Sequence, residues 1–367
     1  MSAYINYIGT ANPPHQIDQQ QIGAFMAAAQ EMNEAEAHQL KVLYRASGIT
    51  TRYSVLADYQ TTDPEQYTFY PTATDIEPFP TVGQRMKIYE AEALKLSLSA
   101  VKDALPEDFD LRDISHLVTV SCTGMYAPGI DIELIEQLGL STHVQRTAIN
   151  FMGCYAAFNA LKTASQIVEA QADAKVLVVA VELCSLHFQK KKDADNLLAN
   201  ALFADGAAAV LVSSDTVSDT MNFSMDNFFC DLAFQGKKDM AWSINDFGFE
   251  MRLTAMVPDF IRDGIRQLTD NLLRTMDLDL EQINYFAIHP GGKRILRVIE
   301  QELGLARHCN RFAYQVLKEY GNMSSPTILF VLKALLEELN EEDRGKNVLS
   351  FAFGPGLTLE SMLLKVV

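Results

Sequence analysis

The chain has 367 residues, enough for two or three ordinary domains or for one large α/β unit with duplicated halves. It is 48% hydrophobic and 21% charged, in the range of soluble globular proteins, and no stretch approaches the roughly 20 uninterrupted apolar residues of a membrane helix. A formal net charge of −17 excludes recruitment of nucleic acid by a basic surface, and it requires that any anionic substrate be met by a local basic patch.

Met1 to Thr10 carry neither the basic segment nor the apolar core that directs secretion. The five cysteines, Cys122, Cys154, Cys184, Cys230 and Cys309, are odd in number and widely spaced, with no CxxC pair. That pattern argues against a disulfide framework and against a zinc site, so no metal is expected and a reduced, cytoplasmic setting is.

In chain order, periodicity predicts a helix over Glu90–Leu105, a strand over Leu117–Ser121, a strand-like run over Arg146–Phe151 and a helix over Tyr155–Ala170. A strand over Val176–Val181 follows, then an irregular, solvated loop from Gln189 to Asn196 bearing Lys190, Lys191 and Lys192, then a strand over Ala207–Val212. The remainder reads as a helix over Pro258–Met276, a strand over Tyr285–Ile288, a helix over Ile328–Asn340 and a strand over Val348–Phe353. This alternation indicates an α/β fold with mixed or parallel sheets. Two segments also echo two others. Asp113–Gly124 and Glu281–Gly292 each run from an acidic lead-in through a buried strand to a polar turn ending in Gly, and Leu202–Val212 and Ala352–Leu364 each feed a glycine turn into a strand. A duplication of this kind brings strand ends of both halves to one site.

Three short motifs carry chemistry. In Met152-Gly-Cys-Tyr-Ala-Ala-Phe-Asn-Ala160 the chain turns at Gly153 and Cys154 opens a helix. The positive end of the helix dipole lowers a thiol pKa, which makes Cys154 a nucleophile candidate; by itself it is as readily a small buried apolar residue. In Ile288-His-Pro-Gly-Gly292, the His289 imidazole is suited to take a thiol proton and later to donate to an oxyanion, or is simply a histidine satisfied at a strand end. In Tyr320-Gly-Asn-Met-Ser-Ser-Pro326, Asn322 is either a neutral oxyanion donor or an ordinary turn or capping residue.

Met152-Gly-Cys154, Leu202-Phe-Ala-Asp-Gly-Ala-Ala208, His289-Pro-Gly-Gly292, Tyr320-Gly-Asn-Met-Ser-Ser325 and Phe353-Gly-Pro-Gly-Leu-Thr358 stand in the order and approximate spacing of chalcone synthase-like enzymes. The opening Ile8-Gly-Thr-Ala-Asn-Pro13 is similar to that family's first strand and turn, so the resemblance to these type III polyketide synthases runs nearly end to end. It implies a thiolase-like fold: two duplicated βαβαβαββ-type halves, residues 1–215 with the nucleophilic Cys and 216–367 with the His and Asn, in a layered αβαβα core. It also implies a catalytic set of Cys154, His289 and Asn322, with the Cys154 thiolate ion-paired to protonated His289 and acylated by a starter acyl-CoA. Decarboxylation of malonyl-CoA then gives an enolate held by His289 and Asn322, and the extended chain cyclises to an aromatic polyphenol or pyrone. No bound cofactor is implied; CoA thioesters are the substrates. Ketoacyl-acyl-carrier-protein synthases share the catalytic set, but the Pro-Gly-Gly after His289 and the Met-Ser-Ser after Asn322 favour the polyketide branch.

The resemblance also assigns a pocket. Phe203 matches the gatekeeper aromatic, Met251 stands where plant enzymes have a second gatekeeper Phe, and Ser324 and Phe353 lie in matched strings. Cys122, Cys184 and His187 replace pocket threonines. Cys122 resembles the bacterial tetrahydroxynaphthalene synthases, which use malonyl-CoA as starter and extender, and points to a bacterial member. Trp242 replaces a cavity glycine and either narrows the pocket or is a lid or dimer residue. The family's CoA-binding basic positions fall on Gln39, Val42 and Ala46, which leaves Lys41, Arg45, Arg52, Lys293 and Arg294 as the candidate patch. A homodimer is implied, although Ala127 replaces the methionine that crosses the plant interface.

Overall fold

The computed structural model describes residues 2–218 and 220–367. The first half contains β1 (Tyr4–Ala11), β2 (His15–Asp18), α1 (Gln19–Ala29), α2 (Glu34–Ala46), β3 (Thr51–Ser54), α3 (Val82–Ala104), β4 (His116–Ser121), α4 (Ile130–Leu138), β5 (Gln145–Asn150), α5 (Ala156–Ala170), β6 (Val176–Leu183), α6 (Ala194–Leu202) and β7 (Asp205–Ser213). The second contains β8 (Phe223–Leu232), β9 (Met240–Asn245), β10 (Gly248–Leu253), α7 (Val257–Arg274), β11 (Ile283–Ile288), α8 (Lys293–Leu303), α9 (Arg311–Tyr320), α10 (Thr327–Leu336), β12 (Asn347–Gly354) and β13 (Thr358–Val366).

Nine strands form one sheet in the order β11-β12-β13-β8-β1-β7-β6-β4-β5. Its halves meet where Tyr4 and Ile5 of β1 pair with Ser224 and Phe223 of β8. Outward from that seam both sides repeat one pattern: an antiparallel neighbour, a second antiparallel neighbour, then a parallel strand. The two sequence echoes therefore occupy matching places, β4 with β11 and β7 with β13, and the fold is the duplicated α/β architecture anticipated.

The strands are apolar along nearly their whole length because both faces are covered; all eight residues of β6 are buried. α3 packs on β1, β6 and β7 from one outside, and α7 lies on β8 and β13 from the other. Between the two halves of the sheet run α5 and α10, buried among strands of both. Ala156, Ala157, Ala160 and Ala164 give α5 the small radius this sandwiching needs, while Phe158 and Leu161 fill the space beside it. The layers are thus αβαβα, and the inner helices begin beside the strand ends that carry the motifs.

The loop bearing Lys190, Lys191 and Lys192 lies at the surface, exposed over residues 191–194, and is shorter than the sequence reading because α6 begins at Ala194. Each ammonium has a carboxylate partner, Glu77 at 3.1 Å, Glu250 at 2.5 Å and Glu36 at 2.9 Å. These pairs tie the loop to three other parts of the chain.

Candidate active site

Between β5 and α5 the chain reverses through two left-handed residues, Phe151 (φ 62°) and Gly153 (φ 81°). A side chain at Gly153 would bring Cβ within 2.3 Å of Pro355 Cδ, so the position demands glycine on both conformation and space. The Gly153 N–H donates to Cys122 Sγ at 2.9 Å, and Cys154 follows, 7% exposed, just ahead of α5. His289 sits at the end of β11, where its N–H donates to the Phe351 carbonyl at 2.8 Å. Asn322 is fixed through its backbone to the Phe203 segment: its N–H donates to Leu202 O at 3.0 Å and its carbonyl accepts from Ala204 N–H at 2.9 Å. Its side-chain Oδ1 accepts from Ser324 N–H at 2.8 Å, leaving Nδ2 as the donor edge, with a long 3.4 Å contact to Gly291 O.

Cys154, His289 and Asn322 line one narrow cavity of about 20 Å³, whose other walls include Phe203, Met251 and Phe353. Chain segments more than 100 residues apart converge here because β11 and the Gly153 turn both end beside the inner helices. Ser324, held at φ 56°, is buried beside the cysteine rather than on the open wall.

The electrostatics differ from expectation. Burial pushes the Cys154 thiol up to about 11, although hydrogen bonds with Ser324 and Asn322 act the other way. Burial also pushes the His289 imidazole down to about 3, and neither ring nitrogen has a hydrogen-bond partner. Burial therefore opposes the charged form of both partners of the expected ion pair. Desolvation acts against the helix end at the thiol. Beneath the cysteine, Glu182 is fully buried in β6 and accepts from Cys122 N–H (2.9 Å), Thr123 Oγ1 (2.8 Å) and Ser325 Oγ (2.8 Å). Burial raises its carboxyl to about 7. Sequence reasoning passed over Glu182, though a lone acid in the apolar run Val176–Leu183 was a visible signal.

Phe203 and Met251 are shared with a second chamber of about 50 Å³, on whose wall stand Trp242, Cys184 and His187. Trp242 Nε1–H donates to Cys122 O at 2.7 Å. His187 accepts from Phe249 N–H at Nδ1 (2.9 Å), so Nε2 carries the proton given to Thr123 O (2.7 Å); its ring stacks on Phe249 at 4.3 Å. Cys122 is buried behind this chamber and lines neither cavity.

On the opposite side, a largely apolar cleft of about 350 Å³ is lined by Lys293 and Arg294 and shares Leu253, Gly291 and Ile295 with the Cys154 cavity. Lys41 and Arg45 are exposed on α2, which contributes Leu43 and Ala46 to the same cleft. Arg52 does not belong to this patch: it is 4% exposed and lines the inner chamber. The correction arises because β3 turns its side chain inward, toward the Gln19, Asn200 and Phe203 acceptors. Basic residues missed from sequence, Arg307, Arg311 and Lys318, line a depression that adjoins Lys293.

Residues 2–216 match the model of chalcone and stilbene synthases, N-terminal domain, and residues 222–367 that of chalcone and stilbene synthases, C-terminal domain. The chain belongs to the chalcone and stilbene synthase family. This synthase is 30% identical, over 100% of its length and 91% of the relative, to the alpha-pyrone synthesis polyketide synthase-like Pks18 of Mycobacterium tuberculosis. It superposes on the C-terminal type III polyketide synthase domain of Steely1, a type I/III hybrid from Dictyostelium, with a TM-score of 0.88 and 29% identity, covering 100% of this chain and 99% of that one. The TM-score with PKS-I of the brown alga Ectocarpus siliculosus is 0.90, at 29% identity over 100% and 98% of the two chains. The protein is a type III polyketide synthase, an acyl-transferring condensing enzyme with the thiolase-like fold, and the ketoacyl-acyl-carrier-protein synthase alternative is not favoured. Among the described residues, no helix is long and apolar enough to cross a membrane.

Proposed function

We propose that this synthase loads an acyl-CoA starter onto Cys154 and extends it with malonyl-CoA, releasing a cyclised aromatic polyphenol or pyrone. One observation carries the reading: Cys154, His289 and Asn322 line a single small cavity between a cleft rimmed by Lys293 and Arg294 and an inner chamber behind Phe203 and Met251. The cleft suits the pantetheine arm of a CoA thioester, and its basic rim, with Lys41 and Arg45 nearby, suits the phosphates of a ligand that an acidic protein would otherwise repel.

His289 takes the thiol proton as Cys154 Sγ attacks the thioester carbonyl, and CoA leaves as its thiol. Malonyl-CoA loses carbon dioxide, and the enolate oxygen is held by the remaining N–H of neutral His289, whose borrowed proton left with CoA, and by Asn322 Nδ2. Loss of one such donor costs about 2.7–4 kcal/mol of transition-state stabilisation in a comparable oxyanion hole. The enolate carbon then attacks the Cys154 thioester, expelling the thiolate and leaving a chain two carbons longer on CoA. No bound cofactor takes part. A malonyl-derived starter is taken from the sequence resemblance at Cys122 alone, since that side chain lines neither cavity; the two duplicated units are taken as 1–215 and 216–367, and the setting as cytoplasmic. The partner is a second copy: β5 is an edge strand with largely exposed side chains beside exposed Met125 and Ile132, an open edge that another chain would cover.

Incubation of the purified protein with malonyl-CoA, alone and with a panel of acyl-CoA starters, followed by mass spectrometry, tests the reading. Cys154→Ala is expected to abolish loading and condensation while leaving slow malonyl-CoA decarboxylation; equal loss of all three would refute the division of roles.

A further inference from the structure

Four cations of an acidic chain gather in one hollow beside the cleft. A depression of about 430 Å³, between the start of α8 and one face of α9, is lined by Lys293, Arg307, Arg311 and Lys318, against two carboxylates, Glu319 and Glu338. Its volume is that of a small-molecule site. Arg311 is paired with Glu338, whereas Lys293, Arg307 and Lys318 enter no ion pair among the described residues. Arg307, Arg311 and Lys318 are open to solvent, yet Arg307 is held in place. Its guanidinium lies over the Tyr314 ring, 4.5 Å from the centroid, and the Tyr314 hydroxyl donates to Oε2 of buried Glu300 at 3.0 Å. A guanidinium stacked on an aromatic face keeps its N–H edge for a phosphate. Unpaired like charges in one hollow repel one another, and a multiply charged anion relieves that repulsion through charge-assisted hydrogen bonds.

The hollow continues the route out from the nucleophile. The Cys154 cavity shares Leu253, Gly291 and Ile295 with the cleft, and the cleft shares Lys293 with the depression. A thioester with its carbonyl at Cys154 and its pantetheine arm in the cleft brings its diphosphate to Lys293 and, next along the molecule, its ribose 3′-phosphate to the depression. The other basic candidates are placed differently. Arg294 is engaged by Asp259 at 3.6 Å and by the Ala255 carbonyl at 3.1 Å, and Lys41 and Arg45 line neither hollow. The α2 positions to which the family resemblance assigns CoA-binding cations are Gln39, Val42 and Ala46. We propose that the depression seats the 3′-phosphate of CoA on Arg307 and Lys318, with Arg311 beside them, so that this chain grips the nucleotide from α9 instead of α2. This rests on the reading of CoA thioesters as substrates and adds where their nucleotide end is held.

The test titrates the intact enzyme calorimetrically with CoA and with 3′-dephospho-CoA, which differ only in that phosphate, and it needs no turnover. CoA is expected to bind on the order of 10-fold more tightly at low ionic strength, with the difference shrinking as salt screens the exposed cations. In Arg307→Gln/Lys318→Gln the ratio is expected to fall to about 1, whatever happens to the absolute affinities. If that double variant does not fold, judged by its melting curve, each single substitution is expected to lower the ratio roughly 3-fold. Equal affinity of the wild type for the two nucleotides, or a ratio that survives in the variants, overturns the subsite while leaving CoA thioesters as the substrates. Failure of either nucleotide to bind overturns the subsite and the CoA reading together.

Discussion

Phe203 and Asn322 are joined backbone to backbone by an isolated parallel bridge, with Asn322 N–H on Leu202 O and Ala204 N–H on Asn322 O. The residue at the partition between the two cavities and the proposed oxyanion donor thus move as one unit, and Arg52 Nη1 holds the Phe203 carbonyl from the other side. Disturbance of this unit is felt at both places.

Gly321 tests that coupling. It has φ 74° and ψ −160°, a conformation nearly restricted to glycine, and an added Cβ would lie 2.9 Å from Arg52 Cγ and 3.1 Å from Leu202 O. Gly321→Ala is expected to lower malonyl-CoA decarboxylation on the order of 10²-fold while acylation of Cys154 falls less. Stopped-flow loading and carbon dioxide release measure the two separately, and equal effects would place the damage in general folding instead.

Trp242 fills a wall of the inner chamber and is tethered to Cys122 O. Trp242→Gly removes that bulk and is expected to shift products toward longer chains, read by mass spectrometry of the polyketide mixture. An unchanged spectrum would remove Trp242 from the space the growing chain occupies.

The Cys154 thiol is pushed up to about 11 and His289 down to about 3. Thiolate forms only as pH climbs toward that raised value, so iodoacetamide labelling of Cys154 in the free enzyme is expected to accelerate about tenfold per pH unit through the alkaline range. A plateau already reached in the acid range would instead report a preformed thiolate–imidazolium pair.

Glu182 links the site to stability. Its folded-state pKa, about 7, lies above its ordinary value of 4.5; between those values the folded protein holds a proton that the unfolded chain has lost. Its contribution to stability therefore declines as pH rises from 4.5 to 7 and is level above. Glu182→Gln carries no such proton and shifts stability by an amount independent of pH. The wild-type melting temperature minus that of Glu182→Gln is expected to fall across that window, whereas a difference that is flat or rising would show that Glu182 is already ionised at low pH.

What the sequence determined was set by local rules. The apolar runs of β4, β6, β7, β11 and β12 and the helical periods of α3, α5 and α7 announced the alternating α/β order, because each element's burial pattern is written in its own few residues. The Gly153 turn before Cys154 and the glycines after His289 were legible for the same reason, as backbone demands made at single positions. The inward turn of Arg52, the carboxylate partners of Lys190, Lys191 and Lys192, the buried Glu182 and the desolvation of Cys154 and His289 were decided by tertiary structure. Each depends on how much water is excluded and on which donors and charges arrive from distant segments, and desolvation, which acts against the helix end at Cys154, has no local signature in a chain read one window at a time.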